Sequence, residues 1–172
     1  SVTLDAHAIS TLVTSLIFLS RDAAELGSYV RGGICQGLLC HEEDLCFGPA
    51  FIAAHNLEQK VASYPRILVT PEAYEAIAKV DMDDVDPLAS YVKTDFDGER
   101  FLHFLNPQFM KQSKSTALDG QMQEIYRQLS NWLSLVHPGD LLWPKYKWLA
   151  RYFNSVLEES PISGMEAFSI ES

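Results

Sequence analysis

Residues 31–50, RGGICQGLLCHEEDLCFGPA, hold all three cysteines of the chain, one of its five histidines, four of its nine glycines and three consecutive acids. Three chemistries compete for such a stretch. Cys35, Cys40, His41 and Cys46 supply four zinc ligands by type. Structural zinc sites, however, join a C-x₂₋₄-C knuckle to a second, distant pair, and neighbours such as Cys40 and His41 point to opposite faces of a strand. Buried thiols packed as small hydrophobes are the simpler reading. Cys40 or Cys46 with His41 or His55 makes a nucleophile and base by type, but nothing around them matches a protease signature. The glycines fit neither G-x-G-x-x-G nor G-x-x-x-x-G-K-[ST]. What remains is Gly48-Pro49, where a helix starts directly after a strand and its amides suit an anion.

The composition limits the choices further. A chain of 172 residues, 47% apolar and 21% charged, is read as one domain able to bury about 70% of the surface of its unfolded form. The formal net charge is -10, and no basic cluster exceeds KYKWLAR, which argues against a nucleic-acid backbone surface. A nucleotide substrate is compatible with that charge, because a few placed cations, amides and divalent metals hold it. An odd number of cysteines points to reduced thiols and a cytoplasmic location. The longest apolar run, in STLVTSLIFLS, falls short of the roughly 20 residues of a membrane span, and no secretory signal is visible. The opening SVTL reads as the tail of a strand, so residues upstream are expected.

The elements that must position these groups follow from periodicity and breakers. Ile9, Leu12, Val13, Leu16 and Ile17 predict a helix capped by Asp5 and stopped by Gly27. SYVRGGICQGLL and LCF, separated by HEED, predict a β-hairpin. Pro49 opens a second helix, PAFIAAHNLEQKVAS, with Ala50, Ala54, Leu57 and Val61 on one face. YPRILV is a strand, and Thr70-Pro71 starts the helix PEAYEAIAKV. An acidic linker at 81–87 lacks the spacing of a calcium loop. Beyond it lies a hairpin turning at Asp97-Gly98. Two further helices, LDGQMQEIYRQLSNWLSLV and PKYKWLARYFNSVLEE, break at His137-Pro138-Gly139, with a loop from Ser160 onward. Their aromatic residues are expected in core or dimer packing.

From Val30 the pattern resembles a known family. Arg31, Gly33 and Gly37, then Gly48, then Leu57-Glu58, then Ile67-Leu68-Val69-Thr70 and Tyr74 are similar in order and spacing to the second half of the class III nucleotide cyclase catalytic domain. The elements FGPA, YPRI, DFDG and KYKWLARYFN resemble more closely the bacterial pyrimidine cyclases of the Pycsar antiphage system. The resemblance implies an α/β (α+β sandwich), ferredoxin-like cyclase fold with an added β-hairpin and C-terminal helices. In that division residues 1–80 are the cyclase core, and 81–172 are linker, hairpin and helical extension of the same domain. It further implies a homodimer with sites at the subunit interface, two Mg²⁺ or Mn²⁺ ions, and conversion of UTP or CTP to the 3′,5′-cyclic monophosphate as an antiphage messenger.

Site residues follow from the same resemblance. Arg31 is the cation expected at the phosphates, with a structural ion pair or interface contact as the alternative. Glu43 and Asp44 fall near the base-selecting acid of the hairpin, or form a solvated turn. Phe47 is a core residue or stacks on the base, and Gly48 lies at the substrate. The helical positions that carry a transition-state Asn and Arg in purine cyclases are Ile52 and Asn56 here. Neither is a phosphate cation, which disfavours a standard ATP or GTP cyclase, and Asn56 is left as a surface amide or a ligand. The two metal-binding aspartates of the family belong upstream of Ser1, and Asp5 does not replace them. A cyclase-like module that binds a nucleotide or partner without turnover, and a purine (ATP or GTP) cyclase with rewired catalytic residues, are the other readings.

Overall fold

The computed structural model describes residues 5–42, 45–80, 87–107, 116–162 and 164–169. The acidic linker, apart from Pro87, and the acids Glu43 and Asp44 lie outside the described residues. The chain is a mixed α/β protein whose internal contacts divide it into two compact units. One takes the chain up to Leu19 together with Val30–Phe104, and the other takes Ser20–Tyr29 together with the chain from Leu105 onward. No helix among the described residues is long and apolar enough to cross a membrane.

Helix α1, Ala6–Glu25, begins as its sequence predicts: the Asp5 carboxylate accepts from the Ala8 amide at 2.7 Å. It ends at Gly27, where the Ser28 amide returns to Ala23 O. Val13 and Ile17 are buried, four residues apart on one face, whereas Leu12 is exposed.

The first unit is built on a four-stranded sheet of order β1-β4-β6-β5. These strands are β1, Gly32–Ile34; β4, Ile67–Val69; β5, Val92–Thr94; and β6, Arg100–Leu102. β1 runs parallel to β4, and β6 is antiparallel to both β4 and β5. β4 is central and buried throughout, which is why ILV reads as a continuous apolar run rather than an alternation. The predicted partner of β1 is corrected here. The hairpin is made instead by β2, Cys40–Glu42, and β3, Leu45–Phe47, in a separate two-stranded sheet.

Helix α2, Pro49–Asn56, carries the chain from β3 toward β4 and continues as one π-helical stretch, Leu57–Val61. It is shorter than the sequence predicts, and none of its residues is buried. α3, Pro71–Ala78, is capped by the Thr70 hydroxyl, which accepts from the Ala73 amide at 3.3 Å. A 3₁₀ turn, Leu88–Tyr91, leads into β5, and Tyr91 O receives the His103 amide just past β6. The hairpin predicted at Asp97-Gly98 therefore belongs to the same sheet as β4, across the boundary drawn at residue 80.

The second unit is helical. α4, Thr116–Leu135, and α5, Trp143–Glu159, present Met122, Ile125 and Leu129 from one helix and Leu149, Phe153 and Val156 from the other as buried residues. Trp132 stacks on Tyr146 at 5.2 Å, and Tyr126 meets Phe153 at 5.7 Å, so two half-buried rings pack on two buried ones. Tyr152 is buried, and its hydroxyl accepts from the Leu105 amide at 2.9 Å. Burial pushes this phenol well above its ordinary value, against the opposing pull of the Leu105 hydrogen bond.

Two results follow for Tyr152. Tyr152→Phe leaves a buried N–H without its acceptor and is expected to cost about 1–3 kcal/mol in urea unfolding. The folded state also keeps a proton that the unfolded chain releases near pH 10, so stability falls as pH rises beyond about 10. That fall is shallower in the variant.

Candidate functional site

The glycines shared with the cyclase pattern are contact points rather than a phosphate cradle. A Cβ on Gly33 would stand 2.8 Å from Leu57 Cδ2, and one on Gly37 would stand 3.3 Å from the Ala50 Cβ. A Cβ on Gly48 would stand 2.7 Å from Leu38 O. These absences of side chain let β1, the hairpin and α2 close on one another. The motif spacing R-x-G-I-x-x-G thus follows a packing requirement whether or not a ligand binds.

Arg31 precedes β1, and its Nε donates to Glu58 Oε1 at 2.6 Å, while Nη1 reaches Ala62 O at 3.4 Å. Glu58 also accepts from Gln59 Nε2 at 2.7 Å. The guanidinium therefore ties the entry of β1 to the stretch that follows α2. Its side chain remains 37% exposed, so an incoming anion can reach it and compete with Glu58.

Asn56 ends α2 immediately before this pair and is half-buried. Phe47 and Gly48 lie at the other end of the same helix. Eight residues at 1.5 Å each put the two groups about 12 Å apart along the helix axis. Arg31 thus meets the stretch that follows α2, whereas Phe47 and Gly48 precede the helix, so the two groups lie at opposite ends of one element.

The anion-binding potential of the α2 N-terminus is smaller than its sequence suggests. Gly48 caps the helix without a side-chain hydrogen bond, but Pro49 has no N–H and Ala50 N donates to Leu38 O. Ile52 N already donates to Gly48 O. Of the first four positions, only the Phe51 amide is left over from these bonds.

Phe47 is 51% exposed and is not a core residue, and Cys46 is exposed, with Cys35 and Cys40 half-buried. The reading of the cysteines as buried hydrophobes therefore fails: none of the three is buried, and Cys40 and Cys46 lie on a two-stranded hairpin whose β3 residues are all exposed. Burial, with the negative charge of Glu72 beside it, raises the Cys35 thiol, which opposes a nucleophilic role. Leu38, Leu39, Leu45, Phe47, Phe51 and Ile52 are all exposed on the hairpin and α2.

No family model, curated protein or solved structure matches this chain. Among the described residues no group of three or more His, Cys, Asp or Glu side chains converges on a metal site. The described acids therefore offer no site for two divalent ions, and no step is assigned to them. A cavity of about 320 Å³ lies elsewhere, between the start of α1 and α3, lined by Ile9, Gln36, Glu72, Glu75 and Lys79. It includes none of the candidate site residues named from the sequence, and its paired acids are ill suited to a phosphate.

The sequence reading missed Arg66. This guanidinium is only 1% exposed and is held between Asp95 and Asp97 of the β5–β6 turn, with Nη1 at 3.2 Å from Asp97 Oδ1. Tyr64 and Phe101 flank it at 5.2 and 6.0 Å. The YPRI and DFDG elements are thus partners in space. An arginine inside an otherwise apolar strand run was the signal that such a partner had to exist.

Proposed function

We propose that this chain supplies one half of a nucleotide cyclase site and closes a pyrimidine nucleoside triphosphate, UTP or CTP, to its 3′,5′-cyclic monophosphate as an antiphage messenger. The carrying observation is the set of exposed apolar side chains on the hairpin and α2, together with a reachable Arg31–Glu58 pair just past the far end of α2. Such side chains suit a second copy of the chain, and the pair suits a charged ligand. The ordered motifs from Arg31 to Tyr74 support the same reading.

In this mechanism the 3′-hydroxyl oxygen forms a bond to the α-phosphorus, the bond to the β-phosphate oxygen breaks, and pyrophosphate leaves. The hydroxyl proton passes to water. Arg31 exchanges Glu58 for phosphoryl oxygens and offsets the charge that builds there, a contribution that grows in a water-poor interface. The Asn56 amide donates at the same end of α2. Phe47 stacks on the base, and Glu43 and Asp44 read its polar edge. Two divalent ions would be held by residues outside those described.

A second reading, binding without turnover, is favoured by Ile52, which is 60% exposed where purine cyclases carry a polar group. Two measurements separate the readings. The protein, with whatever residues precede Ser1 in its natural form, is incubated with each of UTP, CTP, ATP and GTP and Mn²⁺, and products are identified by mass spectrometry. Cyclic UMP or CMP is expected, and no cyclic product from any triphosphate removes the cyclase reading. Calorimetry with a non-cyclisable pyrimidine analogue is expected to show at least tenfold weaker binding for Arg31→Ala and tighter binding for Glu58→Gln. Equal affinities in all three chains would leave Arg31 as a strut alone.

A further inference from the structure

The helical unit holds a segment that is not helical. After α5, residues 164–169 run as coil, entered through a turn in which Met165 N donates to Ile162 O at 3.2 Å. Asn154 engages both backbone groups of Phe168: its Nδ2 donates to Phe168 O at 3.0 Å, and its Oδ1 accepts from Phe168 N at 2.8 Å. The Phe168 ring stacks on Tyr126 at 4.8 Å and 25°, and meets Phe153 edge-on at 5.7 Å. Glu166, Ala167 and Ser169 are exposed, whereas Met165 and Phe168 are half-buried.

This is how a receptor holds a linear peptide. A side-chain amide that gives one donor and one acceptor to a single residue reproduces a rung of a β-ladder and accepts any extended backbone. The ring pocket then selects an aromatic side chain, with edge-on and stacked neighbours that suit its quadrupole. We propose that Tyr126, Phe153 and Asn154 form a receptor for an extended peptide bearing an aromatic residue. Residues 164–169 are its internal ligand, and an external peptide of the same chemistry exchanges with them.

Exchange follows from the size of the contact. Two hydrogen bonds and one ring make a weak ligand, but a short tether presents it at an effective concentration on the order of 1 mM. For an intrinsic Kd of about 100 μM, the segment fills its site about nine-tenths of the time. An external peptide then binds the unmodified chain about tenfold more weakly than a chain whose own ligand is disabled.

The test uses the whole chain and a fluorescein-labelled hexapeptide, GMEAFS, the sequence of residues 164–169, followed by fluorescence anisotropy. Phe168→Ala is expected to bind it at least tenfold more tightly than the unmodified chain. Adding Asn154→Ala is expected to remove that gain, and a GMEAAS peptide is expected not to bind. No binding to a Phe168→Ala chain with unchanged circular dichroism, or equal binding to both chains, overturns the proposal. Amide exchange in the unmodified chain decides independently if the variant does not fold. Phe168 N–H is expected to exchange at least tenfold more slowly than Ser169 N–H, and equal rates overturn the latch.

Discussion

Arg66→Met is expected to lower the unfolding free energy by about 3 kcal/mol, measured by urea titration at pH 7. The arginine is fully buried, and its loss removes the cation that faces the two carboxylates. Breaking a buried pair from one side costs about 3–5 kcal/mol, because the remaining charge keeps its desolvation without its partner. Asp95 is 11% exposed and Asp97 is 32% exposed, so both retain some water and the lower end of that range applies. Met fills most of the arginine stem, and the cavity contribution is small. The triple variant Arg66→Met, Asp95→Asn, Asp97→Asn is expected to recover most of the loss, since it removes the charges together. Equal stability of the single variant and the unmodified chain would show that the ion pair contributes nothing net.

The same cluster sets an acid limit. Partial burial opposes ionisation of Asp97, but the Arg66 hydrogen bond, the Glu99 amide and the Arg66 charge together hold its carboxyl below the ordinary 3.8. A carboxyl depressed in the folded state contributes stability above its unfolded value and loses it as pH falls through the folded one. Stability is therefore expected to decline below about pH 4, and this part of the decline is absent in Arg66→Met.

Local signals were legible where one residue and its immediate neighbours decide the structure. Asp5 and Thr70 cap helices because a short acceptor stands three residues before an amide. Asp97-Gly98 turns because Gly98 takes φ 83, and Gly98 N closes on Asp95 O. What was not legible depends on residues far apart in the chain. Arg31 meets Glu58 across 27 positions, and Arg66 meets Asp95 and Asp97 across 29 and 31. Periodicity does not encode such separations. The partner of β1 was misread for a related reason: a glycine-rich strand next to LCF suggests a local hairpin, yet the backbone of Gly32–Ile34 pairs with β4. The apolar residues of the hairpin look like core in one dimension. Leu38, Leu45 and Phe47 are exposed because nothing long enough in the described part of their unit covers them.

Gly48→Ala is expected to free the β2–β3 hairpin from α2 without unfolding the chain. At φ 142 and ψ 171 the backbone of Gly48 lies in a region essentially closed to other residues, with a strain of about 1–3 kcal/mol for any side chain placed there. The added methyl also meets Leu38 O at 2.7 Å and Leu39 Cα at 3.1 Å. Both obstacles are backbone, so no rotamer change relieves them, and the segment 38–39 must move. Gly98→Ala is the matched control. Its φ of 83 carries left-handed strain, but nothing stands within 4 Å of the new Cβ. Because the hairpin is a two-stranded sheet with exposed side chains on β3, releasing it costs less than global unfolding. Gly48→Ala is thus expected to change Tm by only a few degrees while the amides of Cys40 and Phe47 exchange at least tenfold faster, an effect Gly98→Ala does not reproduce. On the cyclase reading, nucleotide affinity falls with it, since Phe47 and the start of α2 lose their fixed position. Hairpin amides that stay protected in Gly48→Ala would mean that the contact with Leu38 does not hold this half of the site together.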